Sequence, residues 1–187
     1  MKSHCLNDWV KAGAYYRSKG NFEKAVEAYA QARLALLCEM GECLVSAGQL
    51  AEGTVLFEEV LEANPAEQRA NAGMGIVSLL TGDMPKAEQA FGNVLHVDPG
   101  HVKGLCGLAL AYKGQNKLVE ALGLLQQALE HDPYEKTAVQ AFAELSMSLG
   151  RNSEALPVLR RYLKRHPDDA ELSSDLKVLE QAVGDCA

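Results

Sequence analysis

Apolar residues return every three or four positions along most of this chain. The run Phe22, Ala25, Tyr29, Ala32, Leu36, Met40 and Leu44 keeps that step without a break, and Leu172, Leu176, Leu179 and Val183 repeat it near the other end. Such spacing places side chains on one face of an α-helix. No stretch shows sustained alternation of β-branched and polar residues, so the pattern predicts no sheet. Short breaks at Gly82-Asp83, Gly114-Gln115-Asn116, Gly150, Asp98-Pro99, Asp132-Pro133 and His166-Pro167 separate predicted helices over 69–81, 84–96, 102–113, 118–130, 136–149 and 153–165. The turn glycines supply positive φ after one helix. The prolines end the next one or open the one after it.

The breaks are periodic. Pro65, Pro99, Pro133 and Pro167 are 34 residues apart, and Gly48, Gly82, Asn116 and Gly150 keep the same step. Phe57, Phe91, Leu125 and Leu159 are in register with them, as are Ala87, Ala121 and Ala155. A strict period of this length predicts stacked units, each a helix A, a turn and a helix B, none of which buries its apolar face alone.

This pattern resembles the tetratricopeptide repeat, whose signature is a Trp, a small residue and a Tyr on helix A, then Gly, Ala, an aromatic, Ala and Pro. The first unit carries Trp9, Gly13, Tyr16, Gly20, Phe22, Ala25, Tyr29 and Ala32; the second Gly41, Leu44, Gly48, Leu50, Phe57, Val60 and Pro65, with Gly53 where Ala is usual. The third carries Gly75, Ser78, Gly82, Ala87, Phe91, Val94 and Pro99; the fourth Ala109, Tyr112, Leu118, Ala121, Leu125, Ala128 and Pro133, with Asn116 in place of the turn Gly. The fifth carries Ala143, Ser146, Gly150, Ala155, Leu159, Tyr162 and Pro167. The resemblance implies an all-α fold, an α-solenoid of about five helix-turn-helix repeats (6–33, 34–67, 68–101, 102–135 and 136–169) in a single domain over 1–187. Residues 170–184 read as a capping helix, because Lys177 stands where a sixth repeat needs its small residue.

The signature has a packing reason. Helices approach within about 8–10 Å where small residues meet. Gly13, Gly41, Gly75, Ala109 and Ala143 give that space on A; Ala25, Ala87, Ala121 and Ala155 give it on B. The aromatic or Leu residues fill the triangle between A, B and the next A. One junction departs from the period. Gly20 and Gly48 are 28 residues apart, six short, with no Pro between them. The shortfall predicts that helix B of unit one runs into helix A of unit two as one helix from about Phe22 to Ala47. The aromatic face of Trp9, Tyr16, Phe22 and Tyr29 then needs another cover. A tight kink near Gln31-Ala32-Arg33 is the competing arrangement.

Composition narrows the function. Net charge is −7, which argues against a phosphate-binding surface. No apolar run reaches the roughly 20 residues that span a bilayer, and the N-terminal residues lack an apolar signal core, so the chain reads as cytoplasmic. Five cysteines without close spacing argue against a disulfide framework. Cys38 and Cys43 point about 140° apart on a helix, and the cysteines read as small buried apolar residues. His4, His96, His101, His131 and His166 are scattered, three of them near helix B ends, and no pair has metal-ligand spacing. Gly73-Met74-Gly75 reads as helix packing, not as a phosphate loop. No catalytic constellation, cofactor or metal is predicted, and the chain reads as no enzyme.

In the resembled family helix A lines a concave groove. By register, that places Arg69, Ala72, Ile76, Leu79, Lys103, Cys106, Leu110, Lys113, Glu144 and Met147 along it, with an apolar middle and a positive rim. Some members grip a chaperone's C-terminal carboxylate with Lys and Asn; Val10 and Ala14 occupy those positions here, with Glu42 close by, which argues against that ligand. The chain is also similar to the peptide-binding chaperones of bacterial type III secretion. The expected function is a scaffold that binds a peptide segment of a protein partner, with no nucleic acid and no membrane insertion. The alternative is a structural assembly subunit that forms a homodimer through residues 1–47.

Overall fold

The structure, a computed structural model, describes residues 6–184. Ten helices fill that span: α1 (Leu6–Ser18), α2 (Phe22–Ser46), α3 (Leu50–Ala63), α4 (Gln68–Thr81), α5 (Met84–Val97), α6 (Val102–Gly114), α7 (Leu118–His131), α8 (Lys136–Ser148), α9 (Asn152–Arg165) and α10 (Ala170–Gly184). The described residues contain no strand. They fall into two compact units, divided between Val77 and Ser78.

Two recurring stops cut the helices to length. Each helix A closes with the same i→i−5 bond: the N–H groups of Asn21, Gln49, Asp83, Lys117 and Arg151 donate to the carbonyls of Tyr16, Leu44, Ser78, Tyr112 and Ser146 at 2.7–3.0 Å. The residue before each donor has positive φ: Gly20, Gly48, Gly82, Gly150 and, at 61°, Asn116. This is a Schellman closure, and it needs one left-handed residue. Helix B ends where a proline follows. Asn64, Asp98, Asp132 and His166 are driven out of the helical region, with φ between −143° and −125° and ψ between 65° and 98°.

Unit one's junction is fused as the spacing predicts. α2 runs for 25 residues without interruption, about 38 Å at 1.5 Å per residue. No kink forms near Gln31-Ala32-Arg33. α1 folds back on the first half of α2, where Ala25, Ala28 and Ala32 are buried. α3 packs on the second half, around a core of Cys38, Phe57, Val60, Ala70 and Val77. Phe57 is 0% exposed. A Cβ on Gly41 or Gly73 would stand 2.7 or 2.3 Å from its ring, so both glycines are seats for it. Gly53 replaces the usual Ala because its Cβ would meet Val45 Cγ2 at 2.8 Å and the Gly41 carbonyl oxygen at 3.1 Å.

In the second unit Phe91, Leu125 and Leu159 are buried, with Ala87, Ala121 and Ala155 against the opposing helices. The core continues through Leu129, Val139 and Phe142 to Leu172 and Leu179 of α10. Lys177 and Val178 are exposed on the other side of α10, which is how a helix ends an array. The Val183 side chain, and His4, Cys5 and Cys186, lie outside the described residues. Cys38 and Cys106 are buried as expected, whereas Cys43 is exposed. His101 takes a local role not apparent in the sequence: its Nδ1 accepts the Gly104 N–H at 3.0 Å and caps α6.

Candidate functional site

The helix A positions were expected to form an apolar floor with a free positive rim. α4 carries the first group. Ile76 is 44% exposed, and Ala72 and Leu79 are half-buried. Arg69 is not a free cation. Its Nε and Nη2 donate to the two carboxylate oxygens of Glu42 at 3.0 Å each, and Nη1 lies 3.6 Å from Glu39. The Glu42 hydrogen bond raises the guanidinium pKa further. A bidentate pair of this kind fixes the Arg69 fork against α2 rather than leaving it for a ligand.

In the second unit α6 and α8 are consecutive helix A elements. Lys103 is exposed in the first turn of α6. Cys106, one turn on, is 4% exposed and belongs to the core, so it is no part of a contact surface. Burial pushes its thiol up to about 12, with the Glu135 charge adding to the shift. Cys38 is raised to about 11, chiefly by burial. Neither is a thiolate near neutral pH, so neither is poised as nucleophile or metal ligand. Leu110 and Met147 are half-buried and pack against the core. Lys113 Nζ donates to Glu144 Oε2 at 2.6 Å, which joins α6 to α8.

The same kind of bridge recurs on α10. Gln140 Nε2 donates to Glu171 Oε1 at 2.7 Å, and Lys136 Nζ lies 3.7 Å from Glu171 Oε2. The register placed Gln140 on this face but did not single out Lys136 and Glu171; a search for opposite charges about one repeat apart would have found that pair and Lys113–Glu144. Lys136 also contacts Asp169 at 2.9 Å, at the edge of a cleft of about 480 Å³ with Tyr162, Arg165 and His166. In the first unit a cleft of about 450 Å³ is lined by Trp9, Tyr16, Lys24, Glu27, Ala28 and Gln31. Among the described residues no group of three or more His, Cys, Asp and Glu is placed to hold a metal, and no helix is long and apolar enough to cross a membrane.

The repeat geometry agrees with comparison to known proteins. A family model described as tetratricopeptide repeat matches residues 44–109 and 112–177, and a second of the same description matches residues 9–32. The chain belongs to the tetratricopeptide repeat family. It is 27% identical over 150 residues to the Protein CTR9 homolog of Arabidopsis thaliana, covering 75% of this chain but only 14% of that relative's length. A chain of the APC/C hetero-tetramer Cut9–Hcn1 superposes with a TM-score of 0.73 at 17% identity, over 93% of this chain and 36% of that one. A thermophilic tetratricopeptide repeat protein of Thermus thermophilus gives 0.69 at 16% identity, over 95% of this chain and 100% of that one. These structural likenesses establish the fold: all-α tetratricopeptide repeats closed by a last helix. A fold of this family is a protein-binding scaffold in general terms.

Proposed function

We propose that this chain is a non-enzymatic adaptor that binds a segment of a partner protein on the α6–α8 face of its second unit. The observation that carries the reading is the Lys113–Glu144 bridge with its neighbours. Leu110 precedes Lys113 by three residues, and Met147 follows Glu144 by three, so each half-buried apolar side chain lies one turn from the bridge on its own helix. Exposed Lys103 stands two turns before Leu110. Apolar patches between fixed charges select a segment with apolar side chains and an acidic neighbour. The presence of a similar chain in a hetero-tetramer supports a role within an assembly. The narrower form of the proposal is a chaperone of the secretion type, in which the bound segment comes from an exported protein.

The test is capture of partners by the wild-type chain, followed by calorimetric titration of a synthetic peptide from the captured protein. Lys103→Glu alters only an exposed side chain and should weaken the peptide at least tenfold with unchanged helicity. Equal affinity for the variant would exclude this face.

A further inference from the structure

α2 presents an apolar stripe, interrupted at Arg33, that the other described residues leave exposed. Phe22 is 66% exposed, Val26 67%, Tyr29 36%, Leu36 44% and Met40 46%, and exposed Cys43 continues the row. The steps are four, three, seven, four and three, so all six lie on one side of the helix. Arg33 fills the gap in the row and is neutralised by its ion pair with Glu59. The apolar side chains leave on the order of 500 Å² uncovered, the size of a patch that marks an interaction site.

The stripe has two halves of different origin. Phe22 to Arg33 is helix B of the first repeat and expects a following helix A. Leu36 to Cys43 is helix A of the second repeat and expects a preceding helix B. Fusion denies both, because a straight helix cannot fold onto itself. The second unit shows what the missing packing looks like. There α5 and α6 run antiparallel: a Cβ on Gly107 would stand 2.3 Å from the Phe91 ring, one on Gly104 3.1 Å from Leu95, and one on Gly114 2.4 Å from Met84 Sδ. The repeat register places Phe22, Tyr29 and Arg33 where Met84, Phe91 and Leu95 stand, and Leu36 and Ser46 where Gly104 and Gly114 stand.

We propose that this stripe is the seat of a symmetric dimer, in which the α2 helices of two copies pack antiparallel about a two-fold axis level with Leu34 and Ala35. That axis sets Arg33 against Leu36, Tyr29 against Met40 and Val26 against Cys43 of the second copy, each pair formed twice. A second copy fits because it brings a helix B half to each helix A half, which is the self-complementarity an isologous interface requires. Two copies together cover about 1,000 Å², where specific interfaces begin. Glu39 stands in the place of Gly107, so the second copy offers no glycine seat to the open side of the Tyr29 ring. The two α2 helices therefore pack less closely than α5 and α6.

The full chain should show twice its 20.2 kDa mass by light scattering at high concentration, and Val26→Glu should return it to a monomer with unchanged circular dichroism. Val26→Cys, in a chain with Cys5 and Cys186 changed to Ser, should form an intersubunit disulfide with native Cys43 under mild oxidation, and adding Cys43→Ser should abolish it. A monomer at every concentration overturns the proposal, even if another protein covers the stripe. So does a dimer indifferent to Val26→Glu, or a Val26→Cys cross-link that survives Cys43→Ser.

Discussion

Tyr29 rests its ring on Gly13: a Cβ on the glycine would stand 2.6 Å from the tyrosine Cε1. Phe91 rests on Gly107 of the following helix A, where a Cβ would stand 2.3 Å from its ring. The two rings differ in freedom, because Phe91 is enclosed and Tyr29 has an open outer side. Gly107→Ala should therefore destabilise the fold by about 1–3 kcal/mol, while Gly13→Ala should cost less than about 1 kcal/mol because Tyr29 can swing outward. Urea unfolding of the two variants decides; equal losses would mean that Tyr29 is as confined as Phe91.

Two other helix glycines should respond with opposite signs. Gly123 in α7 has open space where a Cβ would go, so Gly123→Ala should stabilise by about 0.5–1 kcal/mol through helix propensity. Gly53→Ala restores the residue usual at its position but meets a Val45 methyl and the Gly41 carbonyl oxygen. It should cost about 1 kcal/mol net, as overpacking outweighs propensity. A gain in thermal midpoint for Gly53→Ala would show that α3 has room to move away from α2.

The turn after α6 uses Asn116 at φ 61°, where the other turns use glycine. Asn116→Gly should be neutral or slightly stabilising, whereas Gly82→Ala at φ 79° should cost about 1–2 kcal/mol for placing a Cβ in the left-handed region. Denaturation midpoints of both variants check the contrast.

Asp169 gathers three donors: Lys136 Nζ at 2.9 Å, and the Leu172 N–H and the Tyr162 hydroxyl at 3.3 Å each. The Lys136 bond above all holds its carboxyl below the ordinary value of 3.8. A depressed folded-state pKa contributes stability above the unfolded value, and the contribution is lost as pH falls through the folded value. The wild-type chain should therefore lose stability below about pH 4 more steeply than Asp169→Asn, which keeps a helix-capping oxygen but cannot be protonated. Parallel slopes of thermal midpoint against pH would show that this carboxylate contributes nothing.

Much of this fold could be read from the sequence because small residues and rings recur in register. Gly41 with Phe57, and Ala121 with Leu125, mark the close approaches directly, and the missing six residues between Gly20 and Gly48 revealed the fused helix. The proposed contact surface was less legible. Cys106 and Leu110 lie on one face of α6 by spacing, and only the neighbouring helices decide that the first is enclosed and the second half-open. Arg69 and Lys113 looked like a positive rim because their partners, Glu42 and Glu144, lie 27 and 31 residues away. On α2 the covered row (Ala25, Ala28, Ala32) and the uncovered row (Phe22, Val26, Tyr29) share one periodicity, so spacing alone does not separate core from surface.

The central claim is that the shortened first junction makes one helix of two. Amide hydrogen exchange across residues 22–46 tests it most directly. Protection should begin after the first turn of α2 and continue without a gap through Ala30–Leu36 to Cys43, since every N–H in that span has a carbonyl four residues back. Fast exchange confined to Gln31–Leu34, with protected segments on both sides, would mean two helices joined by a kink and would contradict the account.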